Sequence, residues 1–172
     1  NLAAMRAALG ADATIMCDAN QAWAPAEAAA RIAELAPHRP HWIEEPIAAD
    51  EPHAAWRALA AASAVPLAAG ENLRGRPAFV EAIDAGYLGF VQPDVGKWGG
   101  ISGGLEVARL AAARNIAYCP HWLAGGVGLA AAVGHAGPDR DVRSEAERPA
   151  ELGRHHADGR ADLDDGPVRH IG

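Results

Sequence analysis

Five short apolar runs in this 172-residue chain each end on a group able to do chemistry, and that recurrence limits the fold more than any other feature. The groups are Asp18, Glu44, Glu71, Asp94 and His121, spaced 23 to 27 residues apart. One strand, one helix and two short connections occupy about that length in a parallel βα unit. The segments between them read as helices. Ala28, Ile32 and Leu35 recur with a period of about 3.6 after Pro25, and Phe79, Val80 and Ile83 follow Pro77. Trp56 and Leu59 mark a helix between those two, and Ile101, Leu105, Ala108 and Ala112 mark one more. Leu2–Leu9 reads as a helix stopped at Gly10.

The strands fall at about 13–17, 41–43, 65–69, 88–91 and 116–119. Continuous apolar runs, as opposed to alternating ones, predict a sheet covered on both faces. A doubly wound sheet and part of a (β/α)8 barrel both satisfy this α/β pattern. An open sheet concentrates its site at a switch point, whereas a barrel brings every carboxy-terminal strand end around one axis. Five functional strand ends therefore favour the barrel. A complete barrel takes about 250 residues, so the expectation is a partial one. The chain opens on Asn1 in what reads as the end of a helix, and it is read as a fragment.

The net charge of −7, with no basic stripe, argues against a nucleic-acid surface. It leaves room for an anionic small substrate, because a bound cation can reverse the local field. Cys17 and Cys119 make no disulfide framework, and both fall in apolar runs, so they are expected to be buried free thiols in a reducing cytoplasm. No stretch reaches the roughly 20 apolar residues of a membrane span, and no signal peptide is recognisable.

Asp18, Glu44 and Glu71 are three carboxylates on consecutive strand ends. They would repel one another unless a cation sat among them, and hard oxygen ligands suit Mg²⁺, with Mn²⁺ as the alternative. Each could instead cap a helix or make an ion pair; three in register favour the metal. Asp94 and His121 would lie on adjacent strand ends, where a carboxylate can orient an imidazole. Lys97 stands three residues beyond Asp94 in a glycine-rich loop, as a second electrophile or base. A divalent ion beside a base permits removal of the proton next to a carboxylate, with the metal stabilising the enediolate. Gly125, Gly126 and Gly128 read as a glycine-rich loop after the last strand, and a different α/β enzyme, such as a phosphate-binding barrel, would have to use it.

Cys-Asp18-Ala-Asn20, Trp-Ile-Glu44-Glu45-Pro, Gly-Glu71-Asn72, Gln-Pro-Asp94-Val-Gly-Lys97 and Pro-His121, taken as an ordered set, resemble the barrel domain of the mandelate racemase branch of the enolase superfamily. The resemblance covers about residues 1–130. It implies Mg²⁺ held by Asp18, Glu44 and Glu71, and a general base made of His121 and Asp94. Asn20, Glu45 and Asn72 would line the substrate side, with Lys97 beside them. It further implies a small carboxylate substrate, most often an acid sugar that is dehydrated, and homo-oligomeric full-length relatives. Racemisation or epimerisation, or an inactive metal-binding remnant, are the alternatives. Residues 1–134 would then be barrel strands three to seven, without the amino-terminal capping domain and the first strands.

Residues 135–172 break the pattern. From Asp139 to Gly172 there is no aromatic residue, and Arg, Asp, Ala and His dominate. The resemblance implies an eighth strand bearing a glutamate, and no apolar run is there to hold one. The segment is read as an atypical, poorly ordered polar tail, produced by a change of reading frame or gene decay after about residues 134–136.

Overall fold

The computed structural model describes residues 2–123 and 125–134. The segment from 135 onward, with the expectations attached to it, lies outside the described residues. In chain order the elements are α1 (Leu2–Leu9), β1 (Cys17–Asp18), α2 (Pro25–Leu35) with a 3-10 turn (Ala36–His38), β2 (Ile43–Glu44), α3 (His53–Ala62) and β3 (Leu67–Ala69). There follow α4 (Arg76–Asp84), β4 (Phe90–Val91), α5 (Gly100–Ala112), β5 (Ala117–Tyr118) and α6 (Gly126–Gly134).

The five strands form one parallel sheet in the order β1-β2-β3-β4-β5. That order decides between the two architectures the sequence allows. A doubly wound sheet reverses direction at a switch point, whereas successive right-handed crossovers in sequential order put every helix on the same face. The sheet is an arc of a (β/α)8 barrel. Its register places Asp18 beside Glu44, Glu44 beside Ala68, Ala68 beside Phe90 and Phe90 beside Ala117.

Strand alternation sorts side chains into two layers. Ile43, Leu67, Ala69, Val91 and Tyr118 face the helices and join Ile32, Trp56, Leu59, Phe79, Ile83 and Val107 in the main core. Trp56 stacks on Tyr87 with ring centroids 5.1 Å apart. The opposite face carries a smaller layer of Trp42, Ala68, Phe90 and Ala117 with Cys119 against it, and Trp42 and Phe90 meet at 4.8 Å. This is the layered filling of a barrel interior. Helices cover one face and the interior layer fills the other, the burial of both faces that the apolar runs predict for a barrel.

Two expectations change. The strands are only two or three residues long, shorter than the apolar runs that announce them. The 13–17 run still tracks β2, through His41 N–H donating to the Ile15 carbonyl at 2.7 Å. Gly126 and Gly128 are not in a loop but in the first turn of α6, where the alanines after them carry the helix on. Neither cysteine is in a disulfide among the described residues, and both are half-buried.

The first and last helices are the least covered. α1 buries no residue, and α6 buries only Ala132 while Val127, Leu129 and Val133 stand exposed. Arg6 ties α1 down instead, donating to the carbonyls of His38 at 3.0 Å and Ala13 at 2.5 Å.

Candidate acid-base and metal site

Pro93 carries the chain past β4, and Asp94 and His121 then pair as an isolated parallel bridge beyond the β4–β5 ladder. The His121 N–H donates to the Pro93 carbonyl at 3.1 Å. Asp94 uses its two oxygens differently. Oδ1 accepts from the backbone N–H of Gly96 at 2.7 Å and of Lys97 at 3.2 Å, which folds the following loop. Oδ2 is left for His121 Nδ1, 2.8 Å away. Burial pushes the Asp94 carboxyl up, but the hydrogen bonds from His121, Gly96 and Lys97 outweigh it and hold the group below its ordinary value.

The same loop aims Lys97. Trp98 packs on Phe79 with centroids 5.3 Å apart and lies over Gly103, where an added Cβ would come within 3.1 Å of the indole. With Trp98 so anchored, Lys97 reaches back to β3: its Nζ lies 3.0 Å from Glu71 Oε1 and 3.5 Å from Asn72 Oδ1. Glu71 Oε2 meets His121 Nε2 at 2.6 Å. His121 thus faces a carboxylate on each ring nitrogen.

The β1–β2 side is built otherwise. Asp18 and Asn20 are exposed; Asp18 Oδ1 accepts from the Asn20 N–H at 2.7 Å. Glu44 projects into the interior layer, accepting from Trp42 Nε1 at 3.3 Å and from the Gln92 side chain. Burial raises its carboxyl above the ordinary value, and the negative charges of Asp18 and Glu71 add to that rise. Glu45 is sealed at 1 % exposure, both oxygens accepting from Asn72 Nδ2 at 2.9 and 2.8 Å, and burial raises its carboxyl as well. Asn20, Gln21 and Glu45 all hold positive φ, at 47°, 60° and 38°. Each such non-glycine residue costs about 1 kcal/mol or more, a strain that collects at functional sites.

The donor set expected for a metal was Asp18, Glu44 and Glu71. As placed, no group of three or more His, Cys, Asp or Glu side chains among the described residues is gathered closely enough to hold a metal ion. Lys97, Asn72 and His121 hold Glu71, and this accounts for the difference. In kind the residues still suit Mg²⁺: all three donors are hard oxygens, and Glu44 feels the charges of the other two. A buried acceptor, Gln92 Oε1, stands beside them without a hydrogen-bond partner.

Gln92 is a participant the sequence reading passed over, although a glutamine closing an apolar run was a visible signal. Gln21 is another: its Oε1 accepts from Ala49 N–H at 2.8 Å and its side chain also reaches Glu45. An open cleft of about 460 Å³, lined by Gln21, Ala49, Asp50, Asn72, Leu73 and Arg74, lies on the Asn72 side of the cluster.

Comparison with known proteins supports the fold and gives the family. The family described as enolase C-terminal domain-like matches residues 1–170. A D-galactonate dehydratase of Klebsiella pneumoniae (strain 342) is 42% identical over 100 residues, which are 58% of this chain and 26% of that protein. Among solved structures, a mandelate racemase/muconate lactonizing enzyme from Bordetella bronchiseptica RB50 superposes with a TM-score of 0.76 at 44% identity, over 78% of this chain and 37% of that one. A racemase from Streptomyces coelicolor A3(2) with bound magnesium gives a TM-score of 0.68 at 35% identity, over 71% and 34%. The chain spans about a quarter to a third of the length of the curated relatives it matches. It belongs to the enolase superfamily, in the mandelate racemase/muconate lactonizing enzyme family, and carries part of that family's C-terminal barrel domain.

Proposed function

We propose that these strand ends serve a Mg²⁺-dependent removal of the proton α to a carboxylate, in the dehydration of an acid sugar. The observation that carries this reading is the His121–Asp94 pair at 2.8 Å, set among the carboxylates of the neighbouring strand ends. Asp94 accepts from Nδ1 and fixes the ring; Nε2, which faces Glu71 until that carboxylate turns to the ion, is the atom that takes the proton. Asp18, Glu44 and Glu71 are the residues that would hold the ion, whose chemistry is to draw charge onto the substrate carboxylate as the proton leaves. Asn20 and Asn72 offer hydrogen bonds to substrate hydroxyls, and the cleft beyond Asn72 has room for a polyhydroxylated chain. Glu45, sealed beneath Asn72, acts by holding that amide; Lys97 is a supporting cation. In the overall change the α C–H and the β C–OH bonds break, the C=C bond forms, and the proton and hydroxyl leave as water. The dehydratase name of one relative supports the substrate class. Two cysteines outside any disulfide, with no described helix long and apolar enough to cross a membrane, suit a cytoplasmic setting.

The test is exchange of the α-proton of D-galactonate and related acid sugars into D₂O with Mg²⁺ present, followed by NMR. Exchange should occur and disappear in His121→Asn. Exchange that survives this substitution, or none with any acid sugar, contradicts the reading.

A further inference from the structure

We infer that Lys97 is the internal cation a divalent metal must displace from Glu71, so that Lys97 sets how tightly the strand-end carboxylates take that metal. The inference rests on the proposed metal role of Glu71. Both oxygens of Glu71 are engaged: Oε1 accepts from Lys97 Nζ at 3.0 Å and from Asn72 Nδ2 at 3.1 Å, and Oε2 faces His121 Nε2 at 2.6 Å. A carboxylate so committed has little donor capacity left for a metal. The three partners are not equivalent competitors. Asn72 is neutral, and its amide is held by the buried carboxylate of Glu45. His121 divides itself between Glu71 and Asp94. Lys97 brings a full charge whose ion-pair partner is Glu71, and that charge would repel an arriving cation.

The loop lets Lys97 let go. Its N–H is held by Asp94, and Trp98 beside it is anchored on Phe79, so the backbone has no need to move. The side chain keeps 27% of its surface in solvent, and its flexible stem gives the ammonium a way out into water. Glu71 is then free to turn toward Glu44, which already feels the charges of both Glu71 and Asp18.

The test is titration calorimetry with Mg²⁺ alone on the full chain, comparing wild type, Lys97→Met, Lys97→Arg and Glu71→Gln. Lys97→Met should bind about tenfold more tightly than wild type, the ratio expected for losing one competing charge-assisted hydrogen bond. Lys97→Arg keeps the charge and should stay within about twofold. Binding in Lys97→Met alone, with none in wild type, also supports the inference. Binding that Glu71→Gln abolishes but Lys97→Met leaves equal or weaker overturns the inference and keeps the metal reading. No binding in any form, or binding indifferent to Glu71→Gln, overturns both. A readout on the unmutated chain guards against misfolded variants: the His121 ring ¹⁵N signals should move as Mg²⁺ is added, because Glu71 leaves the ring. A ring that stays put while Mg²⁺ binds contradicts the displacement.

Discussion

The strand-end rim has two unlike sides. Across β3–β5, Glu71 is paired with Lys97 and His121, and Asp94 with His121. Across β1–β2, Asp18 and Glu44 lie side by side with neutral partners, and the backbone at Asn20, Gln21 and Glu45 is held in the left-handed region. The paired side is internally satisfied and lowers the free energy of the fold. The other concentrates like charge and strain, which the fold must offset elsewhere. That difference locates where an external cation would do most, since charge that the protein leaves unneutralised is charge that a ligand can neutralise.

The β3–β4 junction within the paired side should be the most sensitive point. Gly70 has φ +145°, and a Cβ there would come within 2.7 Å of the Gln92 backbone nitrogen. Gly70→Ala should lower unfolding stability by about 3 kcal/mol or more, since neither backbone can yield without breaking the β3–β4 pairing. Chemical denaturation reads this directly; a loss under about 1 kcal/mol would mean the strands can part there at little cost.

Isosteric neutralisation should act with opposite sign on the two sides. Glu71→Gln removes the partner of Lys97 and one partner of His121, and should destabilise the protein by about 1.5 kcal/mol without metal. Glu44→Gln removes a half-buried charge close to two others and should raise stability by about 1 kcal/mol, provided the amide keeps its bonds to Trp42 and Gln92. Equal signs for the two would erase the distinction.

The smallest effect is in the pH dependence, and its sign also differs. The carboxyl of Glu44 is raised above 4.5 in the fold, so its charged form costs stability above that raised value, and the cost fades as the pH falls toward 4.5. The carboxyl of Asp94 is lowered below 3.8, so its contribution is full above 3.8 and is lost as the pH falls through the folded value. On acidification the advantage of Glu44→Gln should vanish first, and the deficit of Asp94→Asn only at lower pH. Thermal melts of the two variants across that range check the order.

Much of this rim was legible before any coordinates. Asp18, Glu44, Glu71, Asp94 and His121 all stand at or just past the end of a strand, because spacing and apolar runs are one-dimensional signals that a parallel βα repeat preserves. What was not legible depends on side-chain torsion and on close approach between distant segments. Nothing in the sequence says that Lys97 bends back 26 residues to Glu71, or that Glu45 is buried while Glu44 beside it faces the interior layer. Gly126 and Gly128 misled for a related reason: glycine is a strong signal of a turn, yet the helix-forming alanines that follow prevailed.

The central claim, that Asp18, Glu44 and Glu71 share one divalent ion, is tested most directly by thermal unfolding against Mg²⁺ concentration. A ligand that binds only the folded state raises the melting temperature in proportion to the logarithm of its concentration above Kd. Wild type should show that rise, and Glu71→Gln should not. A melting temperature indifferent to Mg²⁺, or an equal rise in Glu71→Gln, would contradict the claim.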